Sequence, residues 1–360
     1  MHNENRDADL AYLPTRLPVL DGWRGISISC VLAGHMLPLG PKVVGLNGMV
    51  ATAGMSLFFF LSGFLIVSML SRNDNVLSFL VRRVLRIVPL AWGFLIVLLL
   101  LKDASIETWK GNLLFYANIP TASVPDFSGA PFYFLKENSH FWSLCVEMQF
   151  YAAIALIVAL AGRRGLIMVP IVCVIVTAAR IAYGVHTGIV TWWRIDEILV
   201  GGIVALAFGS QRFAALAARL PAFTPIVAAL LLLLSCNDKL GPLNYARPYF
   251  TGLLIGSTIV RRNDMLQQLL CGRVLAYLAK ISYALYVIHP ATTLGWLGEG
   301  DVAVRYTKRI GSFFLSFLFA HLSTNYYEKY WIGLGHRLAA SIEGRPEQHA
   351  NASTVLRRPG

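Results

Sequence analysis

Long apolar stretches recur along this sequence, and they constrain the fold more than any other feature. Hydrophobic residues make up 56% of the 360 residues and charged residues only 14%, whereas soluble globular chains are about a quarter charged. A helix needs about 20 mainly apolar residues to cross a bilayer. We therefore predict an all-α fold, a polytopic transmembrane helix bundle. The predicted helices, about ten in number, lie at residues 17–39, 49–70, 84–101, 140–161, 165–185, 189–209, 222–237, 246–260, 275–298 and 309–332.

The loop charges predict which way the bundle is oriented. With the N-terminus in the cytoplasm, about seventeen basic residues fall on the cytoplasmic side and about nine outside, and basic loops mark the cytoplasmic side. We therefore expect both termini to be cytoplasmic, although Arg305, Lys308 and Arg309 count against this orientation. The segment 1–16 and a partly disordered tail, residues 333–360, are then cytoplasmic. The net charge of +12 suits loops that face anionic lipid, so we expect membrane lipids and no nucleic acid as partners.

The first predicted helix carries two ionisable residues inside an otherwise apolar stretch. Arg24 and His35 are eleven residues apart, which at about 100° per residue puts them on one helix face, about 16 Å apart along the axis. Ionisable groups within a membrane span usually face a cavity and mark function. A neutral imidazole can take a proton from a hydroxyl near neutral pH. His35 is therefore a candidate general base, and a buried structural histidine is the alternative.

A carboxylate is predicted to lie at a similar depth to His35. Glu147, in the segment HFWSLCVEMQFY, lies about 5 Å or less from the depth of His35 when residues are counted from the outer helix ends. A carboxylate beside an imidazole fixes its tautomer and stabilises the imidazolium. The alternative is a buried glutamate with a structural hydrogen bond.

Arg82, Arg83 and Arg86 form a basic cluster at the predicted cytoplasmic side. Arginines in such a position often anchor a helix to lipid phosphates. The alternative is a phosphate-rich soluble ligand, because guanidinium groups bind phosphate through two hydrogen bonds. Ser62 and Gly63, in the middle of the second predicted helix, fit close packing between helices. A nucleophilic Ser62 is the alternative, but no base lies near it in the sequence.

Two further segments carry polar residues near the predicted outer side. The segment TWWRIDEILVGG offers Arg194, Asp196 and Glu197 for a polar acceptor, with Trp193 as a stacking face for a sugar ring. An interfacial aromatic belt and an intramembrane ion pair explain the same residues equally well. His289 precedes a helix-breaking proline and is predicted to line the same cavity. The five cysteines are scattered, so no disulfide framework and no metal site are predicted.

These stretches together resemble the membrane-bound acyltransferase 3 family, which O-acetylates bacterial surface and secreted glycans. The matching segments occur in the family's order and are LDGWRGISISCVLAGH, FFFLSGF, RRVLRIVP, WSLCVEMQFY, RIDEILVGG and SYALYVIHP. The resemblance implies an acyltransferase domain over residues 17–332 in a multi-pass protein of the bacterial inner membrane. It implies essential roles for Arg24 and His35 and donor-site roles for Arg83 and Arg86, and it matches Glu147 to the family's glutamate.

The resemblance also implies the reaction partners: acetyl-CoA as a cytoplasmic co-substrate and a glycan acceptor, free or lipid-linked, on the other side. We expect the CoA phosphates at Arg82, Arg83 and Arg86 and the thioester at His35. Direct transfer and a covalent acetyl-His35 intermediate both remain open. So does the same enzyme class with a macrolide acceptor or a succinyl donor. The rival class is a proton-coupled transporter that uses His35 and Glu147 as a relay.

Overall fold

The computed structural model describes residues 17–120, 133–260, 264–293 and 296–344, and within these ranges every regular element is helical. The all-α prediction is therefore confirmed. The segment 1–16 and residues 345–360 of the predicted tail lie outside the described residues. The helices are α1 Pro18–Met36, α2 Leu46–Arg72, α3 Val76–Leu101, α4 Ile106–Leu113, α5 Trp142–Ala161, α6 Met168–Ala182, α7 Asp196–Phe208, α8 Gln211–Ala218, α9 Thr224–Ser235, α10 Arg247–Ile259, α11 Met265–Leu270, α12 Arg273–Thr293, α13 Val302–Leu322 and α14 Lys329–Ile342.

A helix lies at each of the ten predicted positions, but several boundaries differ. The largest shift at the start of a helix is in α3, which begins at Val76 rather than at residue 84. The Asn75 side chain caps this helix by accepting a hydrogen bond from the backbone N–H of Ser78, as asparagine commonly does at a helix N-terminus. The basic cluster therefore lies inside a regular helix rather than at its start. A one-turn π-helix, Ser323–Glu328, joins α13 to α14.

Four helical stretches are long and apolar enough to cross a membrane: Leu46–Arg72, Val76–Leu101, Glu137–Ala182 and Arg273–Thr293. The third of these contains both α5 and α6. The pair α7 and α8, bent by 105°, counts as a fifth if it forms one broken span. Other helices at the predicted positions are shorter, less apolar or more charged. A multi-pass membrane protein is therefore supported, while ten crossings and cytoplasmic termini stay predictions.

The centre of the bundle is α2, which packs closely between α1 and α7. A Cβ atom at Gly63 of α2 would lie 1.8 Å from the carbonyl oxygen of Ile198 in α7, and one at Gly201 of α7 would lie 2.0 Å from the carbonyl oxygen of Phe60. Only glycine permits such an approach, which is the usual device for close packing of membrane helices. The packing interpretation of Gly63 is therefore confirmed. This contact fixes α7 and its charged first turn against the core helix.

We predict that Gly63→Ala and Gly201→Ala each lower the stability of the protein, because the added methyl group overlaps a backbone carbonyl of the facing helix. Overpacking of this kind costs about 1–3 kcal/mol. Gly311→Ala in α13 is the matched control, since nothing lies within 4 Å of its Cβ position and alanine is the better helix former. Thermal unfolding in detergent should show lower midpoints for the first two variants only. Equal midpoints for all three would contradict the close contact.

Candidate active site

Two cavities lie next to each other inside the bundle. The first, which we call the arginine cavity, has a volume of about 50 Å³ and is lined by Arg24, Arg83 and Arg86 among other residues. The second, the histidine cavity, has a volume of about 510 Å³ and contains His35 in its wall. The structure therefore assigns Arg24 and His35, which share one face of α1, to different cavities.

The arginine cavity draws its cations from two helices. Arg83 and Arg86 are three residues apart on α3 and so project from one face, while Arg24 comes from α1. Glu147 is the one carboxylate among the described lining residues, so the cavity carries an excess of positive charge. Arg82 is not among the lining residues. Its guanidinium lies 2.5 Å from the carboxylate of Glu343, just after α14, so the cluster predicted as one unit is divided.

Glu147 does not contact His35, and the predicted pairing of these two residues is wrong. The Glu147 carboxylate accepts a hydrogen bond of 2.6 Å from Ser62 Oγ and another from the Tyr151 hydroxyl. Tyr151 is one turn further along α5, and Ser62 lies in the middle of α2. The carboxylate therefore lies deeper than a count of residues from the helix end indicated. Ser62 does have a carboxylate partner, but α5 supplies it from 85 positions away in the sequence.

His35 is instead paired with a second histidine. Its Nδ1 atom lies 2.9 Å from Nε2 of His289, and the two rings are stacked with centroids 5.1 Å apart. The Nδ1 atom of His289 faces the carbonyl oxygens of Tyr286 at 2.9 Å and Leu285 at 3.2 Å. His289 is fully buried and is not among the residues that line the histidine cavity. The residue predicted to bind substrate therefore holds His35.

This geometry assigns the proton positions of the neutral pair. A carbonyl oxygen can only accept, so His289 Nδ1 must carry a proton and its Nε2 must be the acceptor. His35 Nδ1 is then the donor in the bond between the rings. The remaining nitrogen of His35, Nε2, has a free lone pair. His35 is thus oriented to accept a proton through Nε2.

A third histidine, His140, completes the cluster and was not singled out from the sequence. Its ring centroid lies 5.3 Å from that of His289, and it lines the histidine cavity. Neither of its buried ring nitrogens has a hydrogen-bond partner. The only sequence signal was its position at the start of HFWSLCVEMQFY. Within the described ranges, no group of histidine, cysteine or acidic residues has the geometry of a metal site.

The predicted acceptor residues of α7 and the preceding turn fall into different environments. Arg194 lines the histidine cavity, with its guanidinium 5.3 Å from the Trp142 ring and 6.0 Å from that of Phe59. Trp193 instead packs against Tyr183, with ring centroids 5.6 Å apart, and is not among the cavity-lining residues. Arg194 therefore remains a candidate for substrate contact on structural grounds.

Asp196 and Glu197 are held in buried ion pairs. Asp196 accepts a hydrogen bond from Arg180, and both side chains are fully buried. Glu197 accepts a bond of 2.7 Å from Arg247 Nε and lies 3.4 Å from Arg194 Nε. Neither carboxylate is among the residues that line the histidine cavity. The ion-pair interpretation is therefore the one that the structure supports for these two residues.

Met55 and Tyr286 occur in the walls of both cavities, so these two side chains lie between them. The Tyr286 hydroxyl donates to the carbonyl oxygen of His140 and lies 2.5 Å from Ser143 Oγ. Its ring is stacked with that of Phe58, with centroids 6.2 Å apart. The two cavities therefore share a thin wall rather than a thick layer of protein.

Comparison with known proteins agrees with this architecture. The chain is 26% identical over 322 residues to "Putative peptidoglycan O-acetyltransferase YrhL" of Bacillus subtilis, which covers 76% of this chain and 48% of that protein. It is 23% identical over 356 residues to a "Putative O-acetyltransferase" of Staphylococcus aureus, and this match covers 87% of this chain and 56% of the Staphylococcus protein. The chain thus spans about half the length of the curated relatives it matches. No solved structure matches it significantly.

Residues 17–332 match the model of one protein family, described as an acyltransferase domain. This range includes the candidate catalytic and binding residues described above. This match covers most of the chain and agrees with the order of the sequence segments. The chain belongs to the acyltransferase 3 family.

Proposed function

We propose that this protein is a membrane O-acyltransferase that moves an acetyl group from cytoplasmic acetyl-CoA to a hydroxyl group of a glycan on the opposite side of the bacterial inner membrane. The observation that carries the proposal is the pair of adjoining cavities: one is basic, the other holds an imidazole with a free lone pair, and they share a wall. The relative named as a peptidoglycan O-acetyltransferase supports a glycan as the acceptor class.

The arginine cavity suits the donor. CoA carries several phosphate groups, and guanidinium groups bind phosphate through charge-assisted, paired hydrogen bonds. The cavity volume of about 50 Å³ is below the range of small-molecule sites, about 300–1,000 Å³, so the donor requires this cavity to widen. We assign phosphate binding to Arg83, Arg86 and Arg24 and leave Arg82 to its ion pair with Glu343.

The thioester then has to reach His35. Eleven residues of α1 separate Arg24 from His35, a distance of about 16 Å along the axis, which is comparable to an extended pantetheine arm. The arm would pass between Met55 and Tyr286, so these side chains must move aside. Methionine is flexible and adapts easily to such a passage. The same route leaves the nucleotide part of the donor on the cytoplasmic side.

The chemical step follows from the tautomer of His35. A glycan hydroxyl enters the histidine cavity, and Nε2 of His35 removes its proton as the oxygen attacks the acetyl carbonyl carbon. The new C–O bond forms, the C–S bond breaks, and the CoA thiolate takes the proton from His35. The bond from His35 Nδ1 to His289 keeps Nε2 directed at the acceptor and stabilises the transient imidazolium, which is the role an aspartate has in other acyl transferases.

We predict that His35→Ala abolishes acetyl transfer, because it removes the imidazole whose Nε2 atom takes the hydroxyl proton. His289→Ala should lower kcat strongly with little effect on the KM for the donor, because it acts through the orientation of His35. His289→Gln, whose amide oxygen can accept the Nδ1–H bond, should recover part of the lost kcat. The measurement is transfer of labelled acetyl groups by purified protein. Equal activity of His289→Ala and wild type would contradict the proposed pair.

We also predict that Arg83→Gln and Arg86→Gln raise the KM for acetyl-CoA by about tenfold or more, since each removes a charge-assisted bond to phosphate. Arg82→Gln is the matched control from the same helix and should change the KM far less, because Arg82 is engaged by Glu343. Initial rates against donor concentration provide the test. A larger effect for Arg82→Gln than for Arg83→Gln would place the donor elsewhere.

A further inference from the structure

A buried cluster of charged residues beside the histidine cavity is not electrically balanced. It contains three arginines and two carboxylates, so three positive charges minus two negative charges leave one positive charge. The five side chains are between 0% and 4% exposed and are Arg180, Arg194, Arg247, Asp196 and Glu197. An uncompensated buried charge is unfavourable unless something pairs with it.

Of the three arginines, Arg194 has the loosest carboxylate contact. Asp196 is bound by Arg180, and Glu197 is bound by Arg247 at 2.7 Å. Arg194 Nε lies 3.4 Å from the other carboxylate oxygen, Glu197 Oε2, without hydrogen-bond geometry, and neither of these two atoms has a hydrogen-bond partner. Aromatic rings provide its other contacts. Arg194 is also the arginine of this cluster that lines the histidine cavity.

A second group in the same cavity has unused hydrogen-bonding capacity. His140 is 8% exposed, and both of its ring nitrogens lack a hydrogen-bond partner. Buried polar groups are normally satisfied, so exceptions of this kind point to a ligand or to water. The one carboxylate among the described lining residues is Asp238, which is exposed at the surface. The buried part of the cavity therefore offers the guanidinium of Arg194 and the imidazole of His140.

We propose that the acceptor carries an oxyanion close to the hydroxyl that is acylated, and that Arg194 binds this oxyanion. This inference rests on the proposed function for the role of the hydroxyl, but anion binding itself needs no acyl donor. A carboxylate on Arg194 would balance the cluster at three charges of each sign, and a phosphate would supply at least the one negative charge that is missing. Arginine binds either group through paired hydrogen bonds. The carboxylate of an acidic sugar and the phosphate of a phosphorylated or lipid-linked sugar are the two sources of this chemistry.

The test is binding to purified protein in lipid nanodiscs without acetyl-CoA, measured by titration calorimetry. The probes are glucose, glucuronate and glucose 6-phosphate, which share a ring and differ at one carbon. We expect at least one anionic sugar to bind about tenfold or more tightly than glucose, as a hydrogen-bonded charge pair predicts. The preferred anion distinguishes a carboxylate from a phosphate. Arg194→Gln should remove the preference, and Arg305→Gln on α13, which is outside the cavity lining, should keep it.

A comparison that needs no variant protects the test against a misfolded Arg194→Gln protein. Wild-type protein should bind glucuronate more tightly than its methyl ester, in which the charge is removed. Equal affinity for glucose and both anionic sugars, no binding of any probe, or a preference unchanged by Arg194→Gln would overturn the proposal. An active acetyltransferase without anion preference would refute this inference alone, whereas selective anion binding by a protein that transfers no acetyl group would refute the proposed function.

Discussion

The hydrogen bond between His35 and His289 determines what the site can do, because it decides which nitrogen of His35 faces the cavity. It joins α1 to its packed neighbour α12, and two backbone carbonyls of α12 anchor its far end. Serine hydrolases use a carboxylate for the same purpose. Inside a membrane span an isolated carboxylate is costly, whereas a neutral imidazole on a carbonyl gives the same orientation with no net charge. The fold thereby keeps a base available at low electrostatic cost.

The same helix connects this base to the wall between the cavities. Tyr286 contributes its side chain to that wall and its carbonyl oxygen to the Nδ1 atom of His289. A movement of α12 that opened the wall would therefore also act on the orientation of His35. On the opposite side, glycine contacts hold α7 tightly against α2, which fixes Arg194 near the imidazoles. A wall of two side chains and a tightly packed acceptor side suit the proposed reaction, in which the donor passes between the cavities and the acceptor is held.

The sequence predicted the parts of this arrangement that depend on local periodicity. Apolar runs predicted the ten helix positions. Helical spacing predicted that Arg24 and His35 share a face and that Arg83 lies beside Arg86. The partners of the functional groups could not be predicted in this way. His35 meets His289 from 254 positions away, and Glu147 meets Ser62 from 85 positions away.

Two errors show why. The pairing of Glu147 with His35 rested on counting residues from helix ends, which assumes that all helix ends lie at one depth. Arg82, Arg83 and Arg86 were predicted as one cluster, and helical spacing places both Arg82 and Arg83 beside Arg86, so only the distant partner Glu343 separates Arg82 from the other two. The sequence allowed Asp196 and Glu197 to form ion pairs, but it did not name their partners. The packing of α6 and α10 beside α7 identified these partners as Arg180 and Arg247.

The central claim is that one protein connects a donor on one side of the membrane to an acceptor on the other. Proteoliposomes with uniformly oriented protein test it most directly, with labelled acetyl-CoA confined to one compartment and the glycan acceptor to the other. The account predicts that label reaches the acceptor across the bilayer while CoA stays in the donor compartment. Transfer only when donor and acceptor share a compartment would contradict it.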